Sequence, residues 1–182
     1  VKEKKKAVMY SGKLDEQYGI KMLVDAFMSI QDSDIELWIT GGGNTEGYIK
    51  ACAKKDNRIK FYGFLPSRQD VLQKQAEASL LVNMRLPSEL ASGYCFPSKL
   101  FEYMATGTPV LSFDIAGIPR EYLQYLYVVK QETEDTLAKA IEETLSLDEA
   151  SLQEQGNGAR EFVINEKNTK TQCSKMWKFV TN

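Results

Sequence analysis

Tyr94-Cys95-Phe96-Pro97-Ser98-Lys99-Leu100-Phe101-Glu102-Tyr103-Met104-Ala105-Thr106-Gly107-Thr108-Pro109-Val110 reads as a loop, a short helix and the opening of a strand. Pro97 fits the first helical position, where a missing N–H costs nothing. Leu100, Tyr103 and Met104 fall on one helical face. Gly107 ends the helix, and Pro109 restarts the chain into the apolar run 110–113. Helix followed directly by a continuous apolar run is the unit from which the rest of the chain is built.

Outward from that segment the same alternation repeats. Apolar runs occur at 7–10, 35–39, 59–62, 80–82, 110–113 and 127–129. Runs without polar alternation suit strands covered on both faces. Between the first two, Ile20, Leu23, Val24 and Phe27 hold the spacing of one helical face, as do Leu137, Ala140 and Ile141 further on. Strand and helix in alternation mean βαβ units and a parallel sheet. Right-handed crossovers then place helices on both sides. The expected fold is α/β: a Rossmann-like three-layer αβα sandwich with a parallel sheet of about six strands.

One domain over residues 1–182 is expected from length and pattern. After about 148 the pattern becomes helix only, with Cys173, Met176, Trp177 and Val180 as one apolar stripe that is expected to pack on its own domain. Part of the stripe could instead meet another domain. Gly156-Asn157-Gly158 is expected to interrupt the helical stretch or mark its turn. The lysine-rich start at 2–6 reads as a solvated linker before the first strand and not as a secretory signal.

Composition removes several classes. Lys plus Arg is 23 and Asp plus Glu is 25, a net charge of −2, which argues against nucleic-acid binding through bulk charge. No apolar run approaches the roughly 20 residues that span a bilayer. Three separated cysteines form neither a disulfide framework nor a zinc site and suit a reducing cytoplasm. Histidine is absent, which removes Ser-His-Asp and Cys-His chemistry. Asp32-Ser33-Asp34 has the spelling of a metal-binding pair but reads as a turn before a strand, and no metal or cofactor is expected.

In an open parallel sheet ligands lie beyond the carboxyl ends of the strands. After the first run, Gly12 allows close approach of backbone and Lys13 places a cation where a phosphate would lie; a plain βα turn would look the same. After the second, Gly41-Gly42-Gly43 permit a tight turn, with Asn44 or Thr45 as cap of the next helix. This is not GxGxxG, and no acidic residue marks a dinucleotide ribose, so a dehydrogenase is disfavoured. After the third, Ser67 caps a helix, and the backbone of Phe64 and Leu65 could bond a base edge or form a simple loop. At 97–102 the amides of Ser98, Lys99 and Leu100 are expected to be unpaired. With the Lys99 side chain they make an anion site. Glu102, one turn on, could accept two hydrogen bonds from a ribose diol or be a surface glutamate.

These segments resemble one family. Glu102-Tyr103-Met104-Ala105-Thr106-Gly107-Thr108-Pro109-Val110 is similar to the EAMAxGxPVV signature of the group 1 glycosyltransferases, retaining enzymes with the GT-B fold. Tyr10-Ser11-Gly12-Lys13-Leu14-Asp15 with Tyr18-Gly19 resembles their VGRLxxxKG segment. Ile39-Thr40-Gly41-Gly42-Gly43 resembles IxGxG, Phe61-Tyr62-Gly63-Phe64-Leu65 resembles FxGxV, and Ala116-Gly117-Ile118-Pro119-Arg120-Glu121 resembles xGGxxE. All five stand in the family's order and together match its C-terminal, donor-binding half; the N-terminal acceptor half is absent from this chain.

The resemblance implies a nucleoside-diphosphate-sugar donor, retention at the anomeric carbon, no metal, and an acceptor glycan or lipid-linked sugar. Lys13 matches the arginine that neutralises the donor diphosphate. Tyr18 stands where the family has a second cation, a lysine, and Lys99 is expected to compensate. Glu102 matches the ribose-binding second glutamate of a paired motif. Tyr94 replaces the first glutamate, which contacts the transferred sugar, and Phe96 matches an aromatic beside it. Pro97-Ser98-Lys99 resembles a subset of bacterial surface-polysaccharide transferases. The family implies a cytoplasmic hexosyltransferase-type enzyme, with the inner membrane surface as a place of peripheral attachment through the absent half. This half alone is expected to be inactive. The residues leave two alternatives open: another enzyme on a related fold, such as a nucleotide-sugar epimerase, and a nucleotide-binding module that no longer transfers sugar.

Overall fold

The computed structural model describes residues 5–89 and 93–181. Six strands form one sheet: β1 (Lys6–Ser11), β2 (Ile35–Thr40), β3 (Ile59–Gly63), β4 (Leu80–Asn83), β5 (Val110–Phe113) and β6 (Tyr127–Val129). Their order is β3-β2-β1-β4-β5-β6, and each neighbouring pair is parallel. Each apolar run of the sequence is one of these strands. In the central strands the reason is burial on both faces: all of β4 and β5 and all but the first residue of β1 are buried, while the edge strands β3 and β6 are only partly buried.

Eight helices cover the sheet: α1 (Ile20–Ser29), α2 (Glu46–Lys55), α3 (Arg68–Glu77), α4 (Lys99–Thr106), α5 (Arg120–Leu123), α6 (Glu134–Leu145), α7 (Glu149–Glu166) and α8 (Thr169–Thr181). α1 packs on α2 and α6, while α4 packs on α3 and α7, giving one layer on each face of the sheet. The predicted faces hold: Ile20, Leu23, Val24 and Phe27 are fully buried, as are Leu100, Met104, Leu137 and Ile141. α3 starts with a capping box in which Ser67 and Asp70 each accept the other's backbone N–H. Thr45 stands at the start of α2 but does not cap it; its hydroxyl bonds the carbonyl of Leu14, and Asn44 accepts from the N–H of Glu16.

Three expectations about the chain ends change. Residues 2–4 of the lysine-rich start lie outside the described residues, and Lys6 belongs to β1. α7 runs unbroken through Gly156-Asn157-Gly158. A Cβ on Gly156 would stand 2.0 Å from the carbonyl oxygen of Gly107, so the glycine is there for contact between α7 and the end of α4. The stripe on α8 does not pack on the domain: Met176, Trp177 and Val180 are 68%, 70% and 78% exposed. Among the described residues no helix is long and apolar enough to cross a membrane.

The position of the site follows from the strand order. β1 pairs with β2 along its whole length but with β4 only at Val8↔Leu80 and Met9↔Leu81. Beyond Met9 the two strands part, and a crevice opens where the chain reverses its direction across the sheet. The fully buried phenol of Tyr103 sits at that parting. It accepts from the N–H of Ser11 (2.9 Å) and donates to its carbonyl (3.0 Å). Burial pushes its pKa up to about 12, so it stays a neutral donor.

Candidate functional site

The rim of the crevice is built from loops tied to one another by backbone. The N–H of Gly12 bonds the carbonyl of Thr40 (3.1 Å), that of Leu14 bonds Gly42 (3.0 Å), and that of Gly41 bonds Gly63 (2.8 Å). The turns after β1, β2 and β3 thus continue the sheet as a laced edge. Gly41 has φ 129°, and a Cβ on it would lie 1.8 Å from the carbonyl oxygen of Gly12, so no other residue fits.

Lys13 projects from this edge. Its ammonium stands 2.6 Å from a carboxylate oxygen of Asp15. The hydrogen bond and charge of Asp15 raise the lysine's pKa, and the same bond, with the N–H of Asn44, lowers that of Asp15. Across the crevice, α4 begins at Lys99 with Ser98 at its cap position. The predicted anion site is smaller than expected. The N–H of Leu100 bonds the carbonyl of Pro97 (2.8 Å), because the chain tightens into a turn before the helix and Pro97 precedes it. The Leu100 side chain is buried in the core. The N–H groups of Ser98 and Lys99 bond no described residue.

Behind Lys99 lies Glu102. It accepts from Gln75 Nε2 (2.8 Å) and Lys99 Nζ (3.0 Å), with Arg68 at 3.9 Å. Burial alone would raise its pKa, but the bonds from Gln75 and Lys99, with the charges of Lys99 and Arg68, hold it below the ordinary carboxylate value. Gln75 is wholly buried and also donates to Ser11 Oγ (2.7 Å), so α3 ties β1 to the carboxylate on α4.

Two adjoining cavities share Ser11, Gly12, Lys13 and Lys99 as walls. One, of about 520 Å³, runs over Gly41 to Phe64, Leu65 and Arg68. The other, of about 140 Å³, reaches Tyr18, Asn83, Arg85 and Ser98. Gly12, Lys13, Gly41, Phe64, Leu65, Ser98 and Lys99 are therefore brought together along these two cavities. Glu102 reaches the cleft through its bond to Lys99. Tyr94 is 83% exposed and lies outside both walls. Phe96 belongs to an aromatic cluster instead, with ring centres 4.6 Å from Phe101 and 5.0 Å from Tyr122. Arg68 and Arg85 are wall residues that sequence reasoning missed. Asp32-Ser33-Asp34 forms a turn in which Asp32 accepts from the N–H of Asp34. Among the described residues no group of three or more His, Cys, Asp or Glu could hold a metal ion.

The family model for glycosyl transferases group 1 matches residues 5–147, which takes in β1 to α6 and the whole cleft. The chain belongs to the group 1 glycosyltransferases. The likeness extends to solved structures, at identities that establish the fold alone. HepE of Anabaena, solved with UDP and glucose, is 17% identical, with 98% of this chain and 48% of that chain covered at a TM-score of 0.75. A UDP-forming trehalose-phosphate synthase of Burkholderia xenovorans is 15% identical, with 99% and 45% covered at 0.77. The C-terminal domain of LpcC, a group 1 family protein of Francisella tularensis, is 15% identical, with 91% and 87% covered at 0.70. This glycosyltransferase domain thus spans about half the length of HepE and of the synthase. No curated protein matches its sequence.

Proposed function

We propose that this domain holds the nucleoside-diphosphate sugar of a retaining glycosyl transfer, with the diphosphate between Lys13 and the start of α4. The observation that carries the reading is the pair of unbonded amides at Ser98 and Lys99 facing the laced glycine edge at Gly12, in a chain of this family. Two free amides at a helix start, with Lys13 opposite, suit an anion. As the bond from the anomeric carbon to the diphosphate oxygen breaks, the electron pair stays with the diphosphate. Lys13, Lys99 and the two amides then stabilise that growing charge, and no metal is used. The larger cavity, past Gly41 to Phe64 and Leu65, takes the base, and Glu102 takes the ribose hydroxyls. HepE is solved with UDP, which makes uridine the first base to test.

The acceptor is a glycan or lipid-linked sugar held by a second, N-terminal domain, in bacterial surface polysaccharide or glycoconjugate synthesis at the cytoplasmic side of the inner membrane. The 182-residue chain alone binds nucleotide weakly and transfers nothing. The second reading, a nucleotide-binding module without transfer, is favoured by Tyr94, which the fold leaves outside the cleft.

Calorimetric titration with UDP, GDP and ADP, repeated on Glu102→Ala, tests the site. One nucleotide is expected to bind, with the affinity of the variant lowered roughly 10-fold or more by loss of charged hydrogen bonds. Equal affinity in the variant would remove Glu102 from the site.

A further inference from the structure

Three cations line the 140 Å³ cavity, and their states differ. Lys13 is neutralised by Asp15 at 2.6 Å, and Lys99 by Glu102 at 3.0 Å. Arg85 bonds no carboxylate among the described residues; its guanidinium carbon lies 5.2 Å over the ring centre of Tyr18. The ammonium of Lys13 lies 6.0 Å from the same ring centre. Tyr18 therefore has a cation close to it from each of two loops.

The backbone around Arg85 is fixed. Met84 and Leu86 are buried on either side of it, so the chain leaving β4 keeps an in-out-in alternation with Arg85 outward into the crevice. Leu86 abuts Gly19, where a Cβ would stand 2.8 Å from the leucine side chain. That contact locks the β4 loop to the turn that carries Tyr18. The ring in turn attracts the guanidinium at cation–π distance, and arginine's planar fork, unlike lysine's point charge, suits bidentate contact with a phosphate. A half-buried arginine held in place without an anion, beside two free amides, is a place prepared for one.

We infer that Arg85, braced on Tyr18, is a donor-binding residue that contacts the diphosphate of the nucleotide sugar. The inference rests on the reading of the cleft given above. Arg85 then carries the uncompensated charge of the site, while Lys13 and Lys99 each share theirs with a carboxylate. The contact belongs to the diphosphate and not to the nucleoside, because Arg85 lines the small cavity and the base-sized space lies past Gly41.

The test is calorimetric titration of the chain and of Arg85→Gln, Arg85→Lys and Arg120→Gln with UDP, GDP and ADP and with the matching nucleosides. Circular dichroism of each variant shows that it is folded. Arg120→Gln removes one positive charge outside the cleft. For the nucleotide that binds, Arg85→Gln is expected to lose roughly 10- to 100-fold in diphosphate affinity. Nucleoside affinity should stay unchanged, Arg120→Gln should match the original chain, and Arg85→Lys should recover only part of the loss. Wild-type diphosphate affinity in folded Arg85→Gln, with Glu102→Ala still weakened, would overturn the role of Arg85 and leave the site standing. An equal loss for nucleoside and diphosphate would overturn it too, since the residue would then act on the shape of the cleft. Absence of binding by the original chain at millimolar nucleotide would overturn the reading of the cleft and this inference together.

Discussion

α7 and α8 follow one another, both carry apolar residues at helical spacing, and only one is covered. In α7, Gly156, Ala159, Phe162 and Val163 are buried, and Phe162 stacks on Tyr125 at 4.6 Å and meets Tyr122 edge-on at 5.0 Å. In α8 no residue is buried, and Phe179 is 87% exposed. The difference comes from the surface opposite. α7 has a small residue where the end of α4 passes, and its ridge settles against Gly107 and Pro109. An apolar stripe marks a face that favours cover; it does not name what covers it.

Substitutions can break or sharpen the contrast. The largest effect is expected for Phe162→Ala, which empties the aromatic cluster and should cost about 3–5 kcal/mol in urea unfolding. A loss below about 1 kcal/mol would mean that α7 is held by its ends alone. Gly156→Ala comes next. Helix propensity alone would stabilise by about 1 kcal/mol, but the new Cβ meets backbone at 2.0 Å, so a net loss of about 1–3 kcal/mol is expected. Stabilisation would show that α7 does not approach Gly107 so closely. Trp177→Ser on α8 should change stability by no more than about 0.5 kcal/mol and lower the binding of an apolar dye. A stability loss comparable to that of Phe162→Ala would erase the difference between the two helices.

The sheet was the most legible part of the molecule. Val8, Leu81 and Leu111 sit in strands with both faces covered, so their runs are almost wholly apolar, with Ser112 as the polar exception, and stand out. Gly107 and Ser67 were readable because a helix end and a capping box depend on residues adjacent in sequence. Gly156 was misread for the opposite reason: its meaning lies in a carbonyl about fifty positions away, and a glycine inside a helix looks like a break.

In the site, the glycine turns and Ser98-Lys99 were found because they follow strand ends or start a helix. Leu100 was counted as a free amide because a sequence does not show the tight turn at Pro97. Arg85 was missed because it has no motif. Only the neighbouring of β1 and β4 brings it to Tyr18, and strand order is a tertiary property. The stretch Met84, Arg85, Leu86 was its one local sign: a charged residue between two buried apolar ones just past a strand end.

The first strand of this domain is the one that ends in the middle of the sheet. As the chain leaves the ribosome, β1, β2 and β3 can pair as soon as they emerge, since each neighbours the next. The other edge of β1, with Val8 and Met9, waits for β4 and stays open through the synthesis of β3 and α3. An uncovered apolar edge of that kind invites pairing with other chains. The site depends on the same late event, because the crevice does not exist until β4 arrives and brings the loop of Arg85 with it.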